Sequence, residues 1–317
     1  MNLSSLTMLL AESAAVMLAA PLVVGTVHLV KARFQNRRGA SIVQPYWALA
    51  SLLRKEMTVP EHSSWVFRFV PYVVLATTIV LAVVVPSAGI GAWPAAASNI
   101  FLVAALATLG SVFLALGGMD TGSTFGNMGA NREMTLVALA EPALLIVLAT
   151  LAFFAGSANL DGIVAFFAAA PWRASMLMAL PTLLALLLVV LAENARYPVD
   201  NPATHLELTM VHEAMVLEYS GPYLAALEYA SALRLTAFGS LFMNIVFPFG
   251  IATVGTGVEM LAVGVLSLVL KLGFFALLIG SLESLLVKMR FYRMQEYFTL
   301  AFLIAFAGAV LAFAHTF

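Results

Sequence analysis

Residues Ala192 to Pro222 read AENARYPVDNPATHLELTMVHEAMVLEYSGP, a polar, carboxylate-rich stretch between two long apolar runs. Five of the chain's sixteen acidic residues lie in it, namely Glu193, Asp200, Glu207, Glu213 and Glu218, with His205 and His212 among them. Its turns at Tyr197-Pro198 and Asn201-Pro202 force extended or turn backbone on the residues before each proline. From Ala203 to about Ser220 the segment then reads as a helix. On it Glu207 and Glu218 share a face, because three turns take about eleven residues.

Outward from this stretch the chain is almost all hydrocarbon. Of its 317 residues, 62% are hydrophobic and 10% charged, against roughly 25% charged in soluble domains. Apolar runs long enough to cross a ~30 Å hydrocarbon core fall at 7–30, 66–86, 97–118, 133–155, 174–193, 223–249, 259–283 and 296–316. The expected fold is an all-α integral membrane protein. Residues 1–317 form a single transmembrane domain, a bundle of eight helices with short amphipathic helices in cytoplasmic loops one and three. No Lys or Arg precedes Lys31 and Glu12 interrupts the first run, so that run reads as a transmembrane helix rather than a secretory signal.

The loops at about 31–65, 119–132, 194–222 and 284–295, with the adjoining helix ends, hold twelve Lys and Arg residues, whereas the opposite side has Arg173 alone. The positive-inside bias therefore places those loops in the cytoplasm and both termini outside. In loop one, Pro45 to about Met57 reads as a short helix with proline at its favoured first position, either lying on the headgroups or docking a soluble partner. The glycine-rich loop Gly117 to Asn127 follows no strand, which excludes a nucleotide-binding fingerprint, and it reads as a flexible linker. There is no internal repeat of the kind found in inverted-repeat transporters. With no cysteine, the chain has no thiolate for an iron–sulfur cluster. His205, Glu207, His212 and Glu213 lack the HExxH spacing, because Val216 stands where a second histidine would fall, so no metal site is expected.

Ionisable residues within the hydrocarbon are costly and therefore candidates for function. Glu141 (next to Pro142), Glu228, Arg234 and Lys271 lie inside helices, while Glu133 and Glu193 lie near cytoplasmic ends. Glu228 and Arg234 are six residues apart and face different ways, so ion pairs must cross between helices. Lys271 is a candidate partner for Glu141 or Glu228. Pro142 removes a backbone hydrogen bond and can admit water beside Glu141. Glu12, Glu259, Asp161 and His315 fall near the outer side, where solvation is expected to account for them.

Two segments carry a resemblance. FQNRRGASIVQPYWALASLLRKE of loop one is similar to the corresponding loop of the H subunit of NADH:quinone oxidoreductase, respiratory complex I. AENARYPVDNPATHLEL and EYSG (Glu218 to Gly221) look like that family's third-loop motifs, in the same order and spacing. HLELTMVHEAMVLEYSGP, with Val199 where the quinone branch has Phe, resembles more closely the hydrogenase branch. That branch comprises formate hydrogenlyase subunit 4 and hydrogenase-4 component C, the membrane anchors of group 4 NiFe hydrogenases.

The resemblance implies a membrane-arm junction subunit of an oxidoreductase complex in a prokaryotic cytoplasmic membrane. No catalytic centre or cofactor is expected in the chain itself. The NiFe centre and iron–sulfur clusters would sit in a hydrogenase large subunit and a small iron–sulfur subunit, with antiporter-like membrane subunits as further partners. Family glutamates of a buried polar path correspond by motif to Glu141, Glu193, Glu207 and Glu228; burial and position add Glu133, Glu213, Arg234 and Lys271. Docking of the peripheral arm falls to Arg37, Arg38, Gln44, Pro45, Lys55, Glu56, Arg196, Asp200 and Glu218. Three rival readings remain. They are a quinone site between loops one and three, a stand-alone proton-coupled transporter that is active alone, and a structural anchor whose buried charges only hold the bundle.

Overall fold

A computed structural model describes residues 3–93, 97–200, 210–255, 258–290 and 293–316. The chain forms long helices α1 (Leu3–Phe34), α3 (Trp65–Val84), α4 (Ile100–Asp120), α5 (Thr124–Ala155), α7 (Trp172–Glu193), α9 (Gly221–Val246), α10 (Val258–Leu285) and α11 (Met294–Thr316). Short helices α2 (Gln44–Leu53), α6 (Leu160–Ala169) and α8 (His212–Val216) and two-residue parallel strands β1 (Gly89–Ile90) and β2 (Ala252–Thr253) join them. Among the described residues six helices are long and apolar enough to cross a membrane, namely α1, α3, α4, α5, α10 and α11. Helices α7 and α9 also occupy expected runs but are not among the six; α9 carries Glu228, Arg234 and Asn244. The chain is a multi-pass membrane protein, with Leu177 and Leu266 at 74% and 62% exposure among many uncovered apolar side chains.

Polar side chains start several helices where the sequence supplies them. Ser64, Asn99 and Ser123 each accept a backbone N–H from the first turn of α3, α4 and α5, satisfying donors that a helix start leaves open. Asp120 strengthens the first of these, its Oδ2 accepting the Ser64 and Phe67 N–H groups at 2.8 and 3.1 Å. Helix α5 continues through Pro142.

Two expectations are corrected. The glycine-rich stretch is not a linker, since only residues 121–123 separate α4 from α5. Gly118 within it and Gly129 just beyond it thin the two helices so that α8 can lie on them. A Cβ on Gly118 would stand 3.0 Å from the Met215 side chain, and one on Gly129 only 2.8 Å from Ala214 Cβ. The helix expected over 203–220 is, in its described part, confined to His212–Val216; residues 201–209, with His205 and Glu207, lie outside the described residues. Tyr219 stacks on Phe67, ring centroids 4.1 Å apart, and Ser220 already precedes α9. Glu218 therefore lies in a turn, not on a helix face shared with Glu207.

Candidate functional site

Loop three is fastened at one end of the bundle by charge. Arg196, just past α7, donates from Nη1 to Glu283 Oε1 of α10 at 3.0 Å, and Lys31 of α1 reaches Glu283 Oε2 at 3.3 Å. Lys31 also lies 4.8 Å from the centroid of the Tyr197 ring. Asp200 accepts from Lys288 Nζ at 2.5 Å and from the His212 backbone N–H at 3.2 Å. Arg132 of α5 holds the Met210 carbonyl at 3.0 Å. Glu193 and Arg234 form a close ion pair, and Arg234 donates to Ser111 Oγ at 3.0 Å. Beside them Glu133 is buried at 9% exposure, within electrostatic reach of Arg234, Asp200 and Glu193.

Loop one is stitched to the far end of the same segment. The Thr58 N–H donates to Ser220 Oγ at 2.8 Å. Gly221 has φ +55, and a Cβ there would stand 2.8 Å from the Glu56 carbonyl oxygen and 3.0 Å from that of Lys55. The two signature segments, RKE of loop one and EYSG of loop three, are thus one structural unit, and glycine is what lets their backbones meet.

Three cavities run through this end, each sharing walls with the next. The first, about 280 Å³, is lined by α1 (Pro21, Val24, His28), α2 (Pro45, Ala48, Leu49), Arg196, His212, Glu213 and Glu228. The second, about 40 Å³, shares His212 and Asn194 with it and adds Glu193, Arg234 and Ser111. The third, about 10 Å³, shares Glu193, Arg234 and Ser111 with the second and adds Glu133 and Asp200. A water needs about 10–15 Å³ of such space and two to four polar partners, so the second cavity can hold waters and the third is at the limit for one. His212 stands between the first two. Burial pushes its imidazole below the ordinary value; Glu213 and Asp200 pull it back and Arg234 and Arg196 push it further down. A neutral imidazole can accept and donate a proton at once, which suits a relay between the two cavities.

Of the expected path residues, the structure brings Glu133, Glu193, Glu213, Glu228 and Arg234 to this chain of cavities. Glu228 is exposed where it lines the first. Glu141 is half-buried and, among the described residues, makes no ion pair. Lys271 pairs with neither Glu141 nor Glu228; its Nζ donates to Asn244 Oδ1 at 2.9 Å. Of the residues expected to dock the peripheral arm, Arg37, Arg38, Gln44, Lys55, Glu56 and Glu218 are exposed and Pro45 is half-buried. Arg196 and Asp200 are 5% and 2% exposed and are paired inside the protein with Glu283 and Lys288. Glu12, expected in solvent, is buried. Sequence reasoning missed Glu283, whose signal is an acidic residue closing the apolar run of α10.

This fold and site define a class: a polytopic helical membrane protein with an ionic, cavity-threaded end and a clasp between loops one and three. The chain belongs to the NADH dehydrogenase family, whose model matches residues 6–314. It is 33% identical to hydrogenase-4 component C of Escherichia coli over 244 residues, 76% of this chain and 75% of that one. It is 30% identical to formate hydrogenlyase subunit 4 of the same organism over 271 residues, 86% and 87% of the two chains. The H subunit of the NADH-quinone oxidoreductase of Rickettsia canadensis matches at 27% over 218 residues, 66% of this chain and 63% of that one. The fold superposes with a TM-score of 0.82, at 20% identity and covering 97% and 99% of the two chains, on a chain of the membrane-bound sulfane sulfur reductase, an archaeal respiratory membrane complex.

Proposed function

We propose that this chain is the membrane-arm junction subunit of a complex I-like NiFe hydrogenase. It docks the peripheral redox arm on the clasped loops one and three and couples electron transfer there to translocation of H⁺ or Na⁺. The observation that carries this reading is the run of three wall-sharing cavities. It starts beneath the loop-one and loop-three unit and ends on Glu133, through Glu213, Glu228, His212, Glu193 and Arg234. Glu141, about 12 Å further along α5 at 1.5 Å per residue, is the next carboxylate inward. Electron transfer in the peripheral arm alters the charge or position of the third loop. His212 and the ion pairs pass that change to Glu133 and Glu193, and antiporter-like subunits complete the transport.

In this reading the chain supplies no redox centre. The NiFe centre and the clusters belong to the large and small peripheral subunits, the four charged loops face the cytoplasm of a prokaryote, and both termini lie outside. Two hydrogenase-named relatives at 33% and 30% identity support the branch. The test is purification of the tagged chain from membranes and identification of its companions by mass spectrometry. A nickel-binding large subunit and an iron–sulfur subunit are expected; recovery of the chain alone, stable and transport-active, contradicts the reading.

One observation favours a second reading. The cavity of about 280 Å³ has apolar walls from Pro21, Val24, Ala48 and Leu49 and polar ones from Arg196, Glu213 and Glu228, a mixture suited to a quinone headgroup and the start of its tail. Inhibition of turnover by a quinone-site inhibitor would favour it.

A further inference from the structure

The end of the bundle away from α8 carries a carboxyl outside the proposed path. Glu12 of α1 is 7% exposed and its Oε1 has no hydrogen-bond partner among the described residues. On the same unbroken helix it precedes Lys31 by nineteen residues, about 28 Å at 1.5 Å per residue. Gly89 of β1 makes room for it. A Cβ there would stand 2.9 Å from Glu12 Oε1 and 1.8 Å from the end of Met8, and the Gly89 N–H is turned towards the carboxyl.

No cation among the described residues supports a negative charge at this place. Asp161 of α6, which accepts the Gly91 N–H at 3.1 Å, is the ionisable group acting on Glu12, and it carries the same sign. Among the elements packed on α1, α10 contributes Lys271, held by Asn244, and Glu259, exposed at its start; the charges of α9 and Glu283 lie at the other end. A buried carboxylate with no countercharge, beside a second carboxyl, is strongly disfavoured, and one proton removes the penalty.

A second observation leads inward from the same place. Asn244 accepts from Lys271 and donates to the Pro86 and Ser87 carbonyls at 2.9 and 2.7 Å. Ser87, two residues from Gly89, is 2% exposed, and its hydroxyl has no partner among the described residues.

We infer that Glu12 is a proton-binding site, a neutral carboxylic acid at neutral pH that exchanges its proton at the face opposite α8, with Ser87, Asn244 and Lys271 leading inward from it. The proton passes between a carboxyl oxygen and water, with no other bond made or broken. Its part in transport rests on the coupling reading above, whereas the proton site does not.

The experiment uses the intact purified complex. Infrared spectra at neutral and alkaline pH are expected to show the C=O stretch of a protonated carboxylic acid that alkali abolishes and that Glu12→Gln removes. A band unchanged in Glu12→Gln overturns the site. Loss of the band on adding sodium, but not choline, at fixed pH also overturns it, in favour of a cation site. Labelling of the unaltered complex gives an answer that does not depend on a variant folding. An apolar carbodiimide, which attacks protonated carboxyls, should mark Glu12 at neutral pH and lose it at alkaline pH; absence of the adduct overturns the site. Proteoliposomes carrying Glu12→Gln or Glu133→Gln separate the two claims. Loss of most of the translocation is expected in each. Loss in Glu133→Gln alone overturns the exchange role of Glu12 but leaves coupling standing; normal translocation in both, with the infrared band removed, overturns coupling but leaves the proton site.

Discussion

The two ends of this helical bundle treat charge in opposite ways. At the α8 end most buried charges are paired, Glu283 with Arg196 and Lys31, Asp200 with Lys288, and Glu193 with Arg234, and Glu133 sits among them without an ion pair among the described residues. At the other end Glu12 has an oxygen without a partner among the described residues, and Lys271 leans on an amide. Pairing fixes geometry, because a buried ion pair tolerates little displacement, whereas an unpaired acid is free to change its protonation state. In the proposed reading the paired charges of the α8 end hold its loops in register around the relay that ends on Glu133, whereas the other end holds a single proton site.

The largest effect should come from breaking the densest pair. Glu283→Gln leaves Arg196 and Lys31 facing a neutral amide. Removing one partner of a buried pair costs about 3–5 kcal/mol, so loss of the chain from purified membranes, or of its soluble companions, is expected. An intact complex with unchanged thermal stability would show that the α8 end is not held by charge. Gly221→Ala comes next. Its Cβ would press on the Lys55 and Glu56 carbonyls at a backbone angle that disfavours side chains, a penalty of about 1–3 kcal/mol, and limited proteolysis should cut loop one sooner.

His212 offers a subtler probe. Its folded value is lowered by burial, so its contribution to holding α8 is fully present above the ordinary imidazole value of 6.5 and is lost as pH falls through the lowered one. Amide exchange over 210–216 should therefore accelerate in mildly acidic buffer, and His212→Gln should remove that step. The smallest effect belongs to Glu228→Gln. Because Glu228 is exposed and forms no ion pair among the described residues, stability should stay within about 0.5 kcal/mol on thermal denaturation, and a larger loss would reveal an interior role.

The long helices were legible because an apolar run of sufficient length leaves a membrane chain few alternatives. All eight expected runs are largely helical, and among the described residues six helices meet the length and apolarity needed to span. The helix expected up to Ser220 failed because Gly221 and the loop-one backbone interrupt it, a tertiary contact that no local pattern announces. Likewise Gly118 reads as part of a flexible stretch, whereas it and Gly129, beyond that stretch, are close-packing positions under α8. Residue types in the site were largely legible, since a charge among apolar residues stands out. Their partners were not: periodicity gives the face of one helix but not which helix it meets. That is why the expected partners of Lys271 are glutamates rather than Asn244, and why nothing in the apolar run of α10 points from Glu283 to Arg196.

The central claim is that the cavities ending on Glu133 carry the coupling. Glu133→Gln keeps the shape of a buried carboxyl and breaks no ion pair seen in the structure. In proteoliposomes of the whole complex, turnover with an artificial electron donor is measured beside ion translocation. Near-normal turnover and assembly with most of the translocation lost is the expected result; translocation at the unaltered level would contradict the account.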